Sequence, residues 1–596
     1  MFNRLGLFAT PKHPVLSLGV QAQFAISRRE HSQFEVLVRH ILSRFFSNEL
    51  LASDDETKRV MQISCAVALP TLIVSLFLYP AYHAFPPAPA HRLFWSQASD
   101  HYFYVMYSFL VMGAATVYEW DLLFPDILDI FVLSILPVSN RRLFSARVVA
   151  LAIFLCLVQL GTSILGTLFL PMVAEQANFV RHLFSHFIAV TISGAFAAMC
   201  FLSIQGILLN IVGERIFRRI TPLLQGVSIM LLLVVLLLCP TLTGSLKALL
   251  TSGSAGIRYF PPLWFLGAYE CLLAGASAPA IFHSLARTGC YALSFTLACT
   301  LLTYPLAYRR RVRQLIEGSA AAGRPSGANV PIRRVLHATI LRSPSQRAVF
   351  HFINQTILRS QRQRVTLAVF GGLSVALALA QMVVLDFSPG RVHLSLLPDG
   401  IRSAIPIMAF FTIVGLRSVL SAPVDRRGSW LFGVLIGRPG PDHLAGTNIW
   451  VTLWTLIVSL GTALLFHTLS PASMKISRIA TGQLLVAVGL SLLLSDILLF
   501  SIRTIPFTHL HKGSVNDLPF AIARYFVLFP IFVSVVVHQE AWIEKSPRHL
   551  FATLILLTAV HLLLRRVETR FLAQSTLDTP PDEVDEFPQR LGLRDL

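Results

Sequence analysis

The residues of this chain that could do chemistry are few, and most stand inside apolar stretches. Asp496 interrupts the run Ser491-Leu-Leu-Leu-Ser495-Asp496-Ile-Leu-Leu-Phe500. A carboxylate at such a depth costs on the order of a few kcal/mol unless it is paired or wet. Asp496 therefore either titrates, as the coupling residue of an ion-driven carrier, or is neutralised by Ser491, Ser495 or a neighbouring helix. His182 and His186 are four residues apart, which sets two imidazoles on one helical face. No carboxylate or Cys nearby in the sequence completes a ligand set, so they read as polar interface groups and no metal ligand is assigned. His561, Gln159 and Asp386 take the same reading. The loop Arg503-Thr-Ile-Pro-Phe-Thr-His-Leu-His-Lys-Gly513 gathers Pro506, His509, His511, Lys512 and Gly513 into a basic turn, either a partner contact or a solvated loop. The sequence holds no GxxxxGK[ST], HExxH or GxSxG, and no GxGxxG in a strand–turn–helix setting. No catalytic residue is assigned, and the chain is not expected to be an enzyme.

A second kind of polar signal recurs. The turn Pro137-Val138-Ser139-Asn140-Arg141-Arg142 has a counterpart in Pro423-Val424-Asp425-Arg426-Arg427, roughly 300 residues on. One basic turn means little, but both follow the second long apolar stretch of a set of six.

Those stretches are the elements that must position everything else. Twelve are predicted, beginning near Met61, His101, Val148, Leu183, Thr221, Phe282, Val365, Arg402, Ile449, Thr481, Leu518 and Leu550. Each is about 20 residues, enough for a helix to cross ~30 Å of hydrocarbon. Hydrophobic residues make up 54% and charged residues 13%, against about a quarter charged in soluble chains. The expected fold is an all-α polytopic membrane protein of about twelve transmembrane helices in two six-helix repeats. An even number of crossings per half makes the repeats parallel, a plan shared by several transporter classes.

The expected divisions are an N-terminal segment 1–60, a first half 61–310, a basic linker 311–364, a second half 365–570 and an acidic, disordered tail 571–596. The net charge of +19 sits beside the spans. It reports orientation and lipid contact, and nucleic acid is not expected as a partner. Arg28, Arg29, Arg141, Arg142, Arg215, Arg218, the run Arg309–Arg313, Arg503, Arg565 and Arg566 fall on alternate connections. The others carry one or two basic residues each, so both termini are expected in the cytoplasm, with the chain in the cell (plasma or inner) membrane. The apolar stretch at Val15–Val20 is too short for a signal core. All seven Cys lie in the first half with no CxxC, and read as free thiols.

Phe34, Leu37, Val38, Ile41, Leu42 and Phe45 share one helical face before the first span, and Val349, Phe352, Ile353 and Ile357 repeat the stripe before the seventh. Each is expected to lie in the cytoplasmic interface or to pack on the protein's own cytosolic loops. Between spans five and six, Gly256–Ala278 is apolar, Pro-broken and too short to span. Its second-half counterpart, His538–His549, is short and polar.

An elbow helix, six spans and a short cytoplasmic helix between spans two and three resemble the membrane subunit of type-2 ATP-binding-cassette exporters. The segment Leu128–Phe154 is similar to the place in such permeases where that helix runs into span three. The resemblance covers most of 32–310 and, more loosely, 345–570; the short segment 538–549 departs from the family's re-entrant pattern. It implies a permease coupled to a separate nucleotide-binding ATPase, with ATP on that partner and no cofactor in this chain. It also implies that Pro137, Val138, Arg141, Arg142, Pro423, Val424, Arg426 and Arg427 are the coupling contacts. The rival expectation is the ion-coupled secondary transporter using Asp496.

Overall fold

The computed structural model describes residues 33–43, 56–83, 93–120, 124, 138–173, 178–212, 214–251, 259–316, 330–388, 391–421, 440–469, 477–500, 506–507 and 517–578. The first half opens with α1 (33–43), α2 (Glu56–Tyr82), α3 (Phe94–Tyr118), α4 (Asn140–Val173), α5 (Phe179–Val212) and α6 (Glu214–Gly244). Two short helices follow, α7 (Leu246–Thr251) and α8 (Pro261–Ala274), before the long α9 (Ala280–Ile316). Then come α10 (Val330–Thr339), α11 (Pro344–Arg359), α12 (Gln361–Met382), α13 (Pro398–Ser421), α14 (Pro441–Leu469), α15 (Ser477–Leu499), α16 (Asp517–Ile543) and α17 (Pro547–Asp578).

Every predicted span lies on one of the long helices. Among the described residues, nine of these (α4, α5, α6, α9, α12, α13, α14, α15 and α17) are long and apolar enough to cross a bilayer. In α2 and α16 the apolar segments are shorter, Ser64–Pro80 and Leu528–Ile543. The side chains bear this out: Phe77, Leu168, Leu302, Leu464 and Ile555 stand exposed on helix faces, as a hydrocarbon solvent permits and water does not. The chain is an all-α, multi-pass membrane protein.

Two expectations about its connections need correction. Between α12 and α13 the chain leaves helix for an antiparallel pair, β1 (Val383–Ser388) on β2 (Arg391–Leu396), and Asp386 lies in β1 opposite His393. The span count places Asp386 at the end of a helix instead. Val392, Leu394 and Leu396 alternate with Arg391, His393 and Ser395, a period of two rather than 3.6, and Pro389-Gly390 separates the strands. At the C-terminus α17 continues to Asp578, so the helix takes in the start of the segment expected to be disordered from 571. Phe571–Asp578 contains no breaker, and the first proline beyond is Pro580. Residues 579–596 lie outside the described residues.

Both expected amphipathic helices are present, as α1 and α11. The stripe on α1 is spent on the protein: Leu37 and Ile41 are buried, and Phe34, Val38 and Leu42 pack on the same core as Ala146, Ala150, Tyr304 and Tyr308. Phe45 lies outside the described residues. α11 does likewise in the second half. Its Val349, Phe350, Ile353 and Ile357 are buried with Leu416, Leu420, Trp450 and Val451. A capping box between Ser343 and Gln346 starts this helix. Gly446 lets α14 approach it closely, since a Cβ there would stand 2.9 Å from the Gln346 carbonyl oxygen. Among the described residues both stripes pack on the ends of the long helices, and Phe124, Val138 and Phe507 from the connections join the same cores.

α1 and α11 mark the same end of the bundle. α6 of the first half packs along α12 of the second. Gly226 faces Ala368 and Gly372 faces Met230, with a Cβ on Gly372 only 2.9 Å from the Met230 Cα. Pairing 226 with 368 and 230 with 372 makes the two helices parallel. The halves are packed differently inside: α2 lies chiefly along α4, whereas its counterpart α12 lies along α13. Below, "elbow end" means the end at α1 and α11, and "far end" the opposite one.

Within the apolar segment that is too short to span, Pro261–Ala274 form a short helix. α8 begins with Pro261-Pro262 and ends at Gly275, whose φ of +65° suits glycine. Gly267 brings α8 onto α9 so closely that a Cβ would stand 2.7 Å from the Phe282 oxygen and the Ala286 nitrogen.

Candidate functional site

Among the described residues, a buried polar cluster lies near the far end of the first half, where α3, α5 and α8 converge. His101 on α3 has its Nδ1 2.7 Å from Glu270 Oε1 on α8, with side-chain exposures of 1% and 3%. A carboxylate accepts, so Nδ1 carries the proton and Nε2 is turned the other way. That Nε2 lies 3.3 Å from His182 Nε2 on α5. The same His182 nitrogen is 2.9 Å from the Tyr269 hydroxyl, which is in turn 3.4 Å from His186 Nδ1. The result is a hydrogen-bonded line of five proton-exchanging side chains: Glu270, His101, His182, Tyr269 and His186. Around it, Ser75 meets the Tyr104 hydroxyl at 2.7 Å, and Tyr82 donates to Asp100 at 2.9 Å. Gly166 on α4 leaves room for Tyr104 and His186, which a side chain there would displace.

His182 and His186 do share a face, as their spacing predicts. They do not stand alone, because a carboxylate and a third imidazole reach them from α8 and α3. A sequence signal for this existed: Glu270 is an acid within the apolar run Pro261–Ala274, which marks a functional candidate in membrane proteins. Nothing local links it to His101, 169 residues away. His182 Nδ1 and His186 Nε2 are buried without hydrogen-bond partners. Among the described residues no three His, Cys, Asp or Glu side chains are arranged to hold a metal ion. The cluster can hold and relay protons along one line of side chains.

Asp496 stands near the elbow end, and its partners come from a neighbouring helix. His561 Nδ1 is 2.5 Å from Oδ2 and Arg565 Nε is 3.1 Å from Oδ1, both on α17. Arg565 also reaches Glu568 at 3.4 Å, and Asn448 on α14 donates to Glu568 at 3.1 Å. Ser491 and Ser495 donate instead to carbonyls one turn back. His561, read as a bland interface residue, is thus the immediate partner of Asp496. The spacing of His561, Arg565 and Glu568 along one helical face was the available signal.

Asparagine at 496 keeps an oxygen that can accept from Arg565 Nε. Asp496→Asn is therefore expected to cost only about 1 kcal/mol. Urea-induced unfolding of the variant in detergent checks this. A loss of several kcal/mol would mean that His561 and Arg565 cannot reach water.

The expected coupling turns are only partly described. Val138 is half-buried on the first-half core, while Arg141 and Arg142 are exposed at the start of α4, where the Arg142 amide meets the Ser139 hydroxyl at 3.4 Å. Pro137, Pro423, Val424, Arg426 and Arg427 lie outside the described residues, as does the short helix expected before Pro137. Of the basic loop after span ten, Pro506 and Phe507 are described and buried; the Phe507 amide donates to the Leu420 oxygen at 3.2 Å. His509, His511, Lys512 and Gly513 lie outside. Gln159 is tied to Ser108 at 3.1 Å, an interface role. All seven cysteines are free.

Comparison of the chain with protein-family models, with curated proteins and with solved structures finds no match.

Proposed function

We propose that this chain is the translocation unit of an ATP-driven exporter, resembling the type-2 ATP-binding-cassette permeases, with both halves fused in one polypeptide. A separate nucleotide-binding ATPase would supply the energy. The observation that carries the reading is the repeated elbow: α1 and α11 pack on the ends of the long helices at the same end of the bundle. Basic residues gather there, including Arg141, Arg142, Arg309, Arg310, Arg313 and Arg566, which supports a cytoplasmic elbow end. The short α8 before the last long helix of the first half adds to the likeness.

In this reading ATPase closure pushes on the turns at Pro137–Arg142 and Pro423–Arg427. α4 is 34 residues long and carries α1 against its first turns, so a push on Arg141 and Arg142 is transmitted along a rigid rod. The ion-coupled alternative would rest on Asp496, whose partners are His561 and Arg565 on α17.

The test is affinity capture of the full chain from cross-linked native membranes. A P-loop ATPase should co-purify, and should be lost from the variant in which Arg141, Arg142, Arg426 and Arg427 are replaced by Glu. Capture of no ATPase, with the chain intact and monodisperse, would overturn the reading.

A further inference from the structure

We propose that Glu540 is a proton-binding site at the far end of the second half, where gain and loss of one proton decides which carboxylate holds Arg402. The site is formed by α13, α15 and α16, and does not depend on the exporter reading. Glu540 on α16 is fully buried; the Gln483 amide of α15 approaches it, but neither carboxyl oxygen holds a donor in good hydrogen-bond geometry. One turn on, Glu544 accepts from Arg402 Nη2 on α13 at 2.9 Å, while Arg402 Nη1 holds Asp399 at 2.7 Å. The remaining guanidinium donor, Nε, is buried and unpartnered.

One arginine thus faces two acids on the same helical face and satisfies one of them. An ionised carboxylate with no partner in a dry site is very costly, whereas the neutral acid is tolerated. Glu540 therefore carries a proton in this arrangement. A metal ion does not fit in its place, because the groups opposite are a guanidinium and an amide donor.

The charged groups close enough to act on Glu540 are Glu544 from its own helix and Arg402 from α13. Asp399 acts through Arg402, and α15 contributes only the neutral Gln483. On α17 the nearest basic groups are Arg548 and His549. His549 is stacked on Trp542, with Nδ1 2.9 Å from its carbonyl oxygen.

Exposure rises from Glu544 (11%) through Arg402 (18%) to Asp399 (81%), a short route to water at the far end. When the Glu540 O–H bond breaks, its proton leaves along that route. The carboxylate formed then accepts from Arg402 Nε, in competition with Glu544. Arg402 is the link between α13 and α16, so the exchange re-sets their contact at the far end.

The experiment uses the full chain in lipid nanodiscs and reads the protonated carboxyl directly. Infrared difference spectra between acid and alkaline pH should show the carbonyl stretch of one buried carboxylic acid that ionises as pH rises. That band should be missing in Glu540→Gln. In Glu544→Gln it should be lost at neutral pH, because Arg402 is then free to hold the ionised Glu540. Labelling by dicyclohexylcarbodiimide, an apolar reagent for protonated carboxyls, should map to Glu540 and weaken with rising pH. A band unchanged in Glu540→Gln, or no band in the folded wild type, would overturn the proposal.

Discussion

Replacing Glu270 with alanine is expected to destabilise the protein by about 3–5 kcal/mol, the usual cost of removing one partner of a buried, charge-assisted pair. His101 would keep its Nδ1 proton with nothing to receive it, at a depth where its side chain is 1% exposed. The loss would not stop there. The tautomer of His101 is set by Glu270, and the hydrogen bonds of His182, Tyr269 and His186 depend in turn on which His101 nitrogen is free. Glu270→Gln keeps an oxygen acceptor and should lose only about 1 kcal/mol. Thermal unfolding in detergent, followed by monodispersity, separates the two. An alanine variant as stable as the glutamine variant would mean that the pair does not hold the far end of the first half together.

Gly372→Leu is the second large effect, expected at about 1–3 kcal/mol through overpacking of the seam between the halves. A Cβ at this position already stands 2.9 Å from the Met230 Cα, a backbone atom that cannot rotate away. Gly371, its neighbour, has open space where a side chain would go. Gly371→Leu is thus the matched control and should be nearly neutral. The cleanest readout is to express the halves as two chains, cut between Ile316 and Val330, and ask whether they co-purify. Loss of association in Gly372→Leu with retention in Gly371→Leu is the expected result. Equal association in both would place the seam elsewhere.

The long helices were legible because a bilayer-spanning run is a strong signal that needs no partner: each predicted start, from Met61 to Leu550, falls on one. The polar clusters were not legible to the same degree, for a physical reason. Glu270 and His101 are joined across 169 residues, and no periodicity connects a helix to a short helix beyond four others. Asp496 was visible as an anomaly, yet the sequence around it offered Ser491 and Ser495, which turn to their own helix backbone instead. The acids at 540 and 544 lay in a stretch that reads as a polar turn. Carrying α16 on through Ile543 buries the first of them. The stripes on α1 and α11 were recognised as amphipathic, but the spacing of apolar residues does not say whether lipid or protein receives them.

The far ends of the two halves are fastened at matching places by unlike chemistry. In each, the second long helix is tied to the segment just before the last one, by His101 to Glu270 in the first half and by Arg402 to Glu544 in the second. The first tie joins side chains that are 1% and 3% exposed, and the second joins side chains that are 18% and 11% exposed. Removing one partner therefore leaves the more deeply buried unpaired group in the first half and costs more there than in the second. The two halves are thus sealed at the same place to different depths.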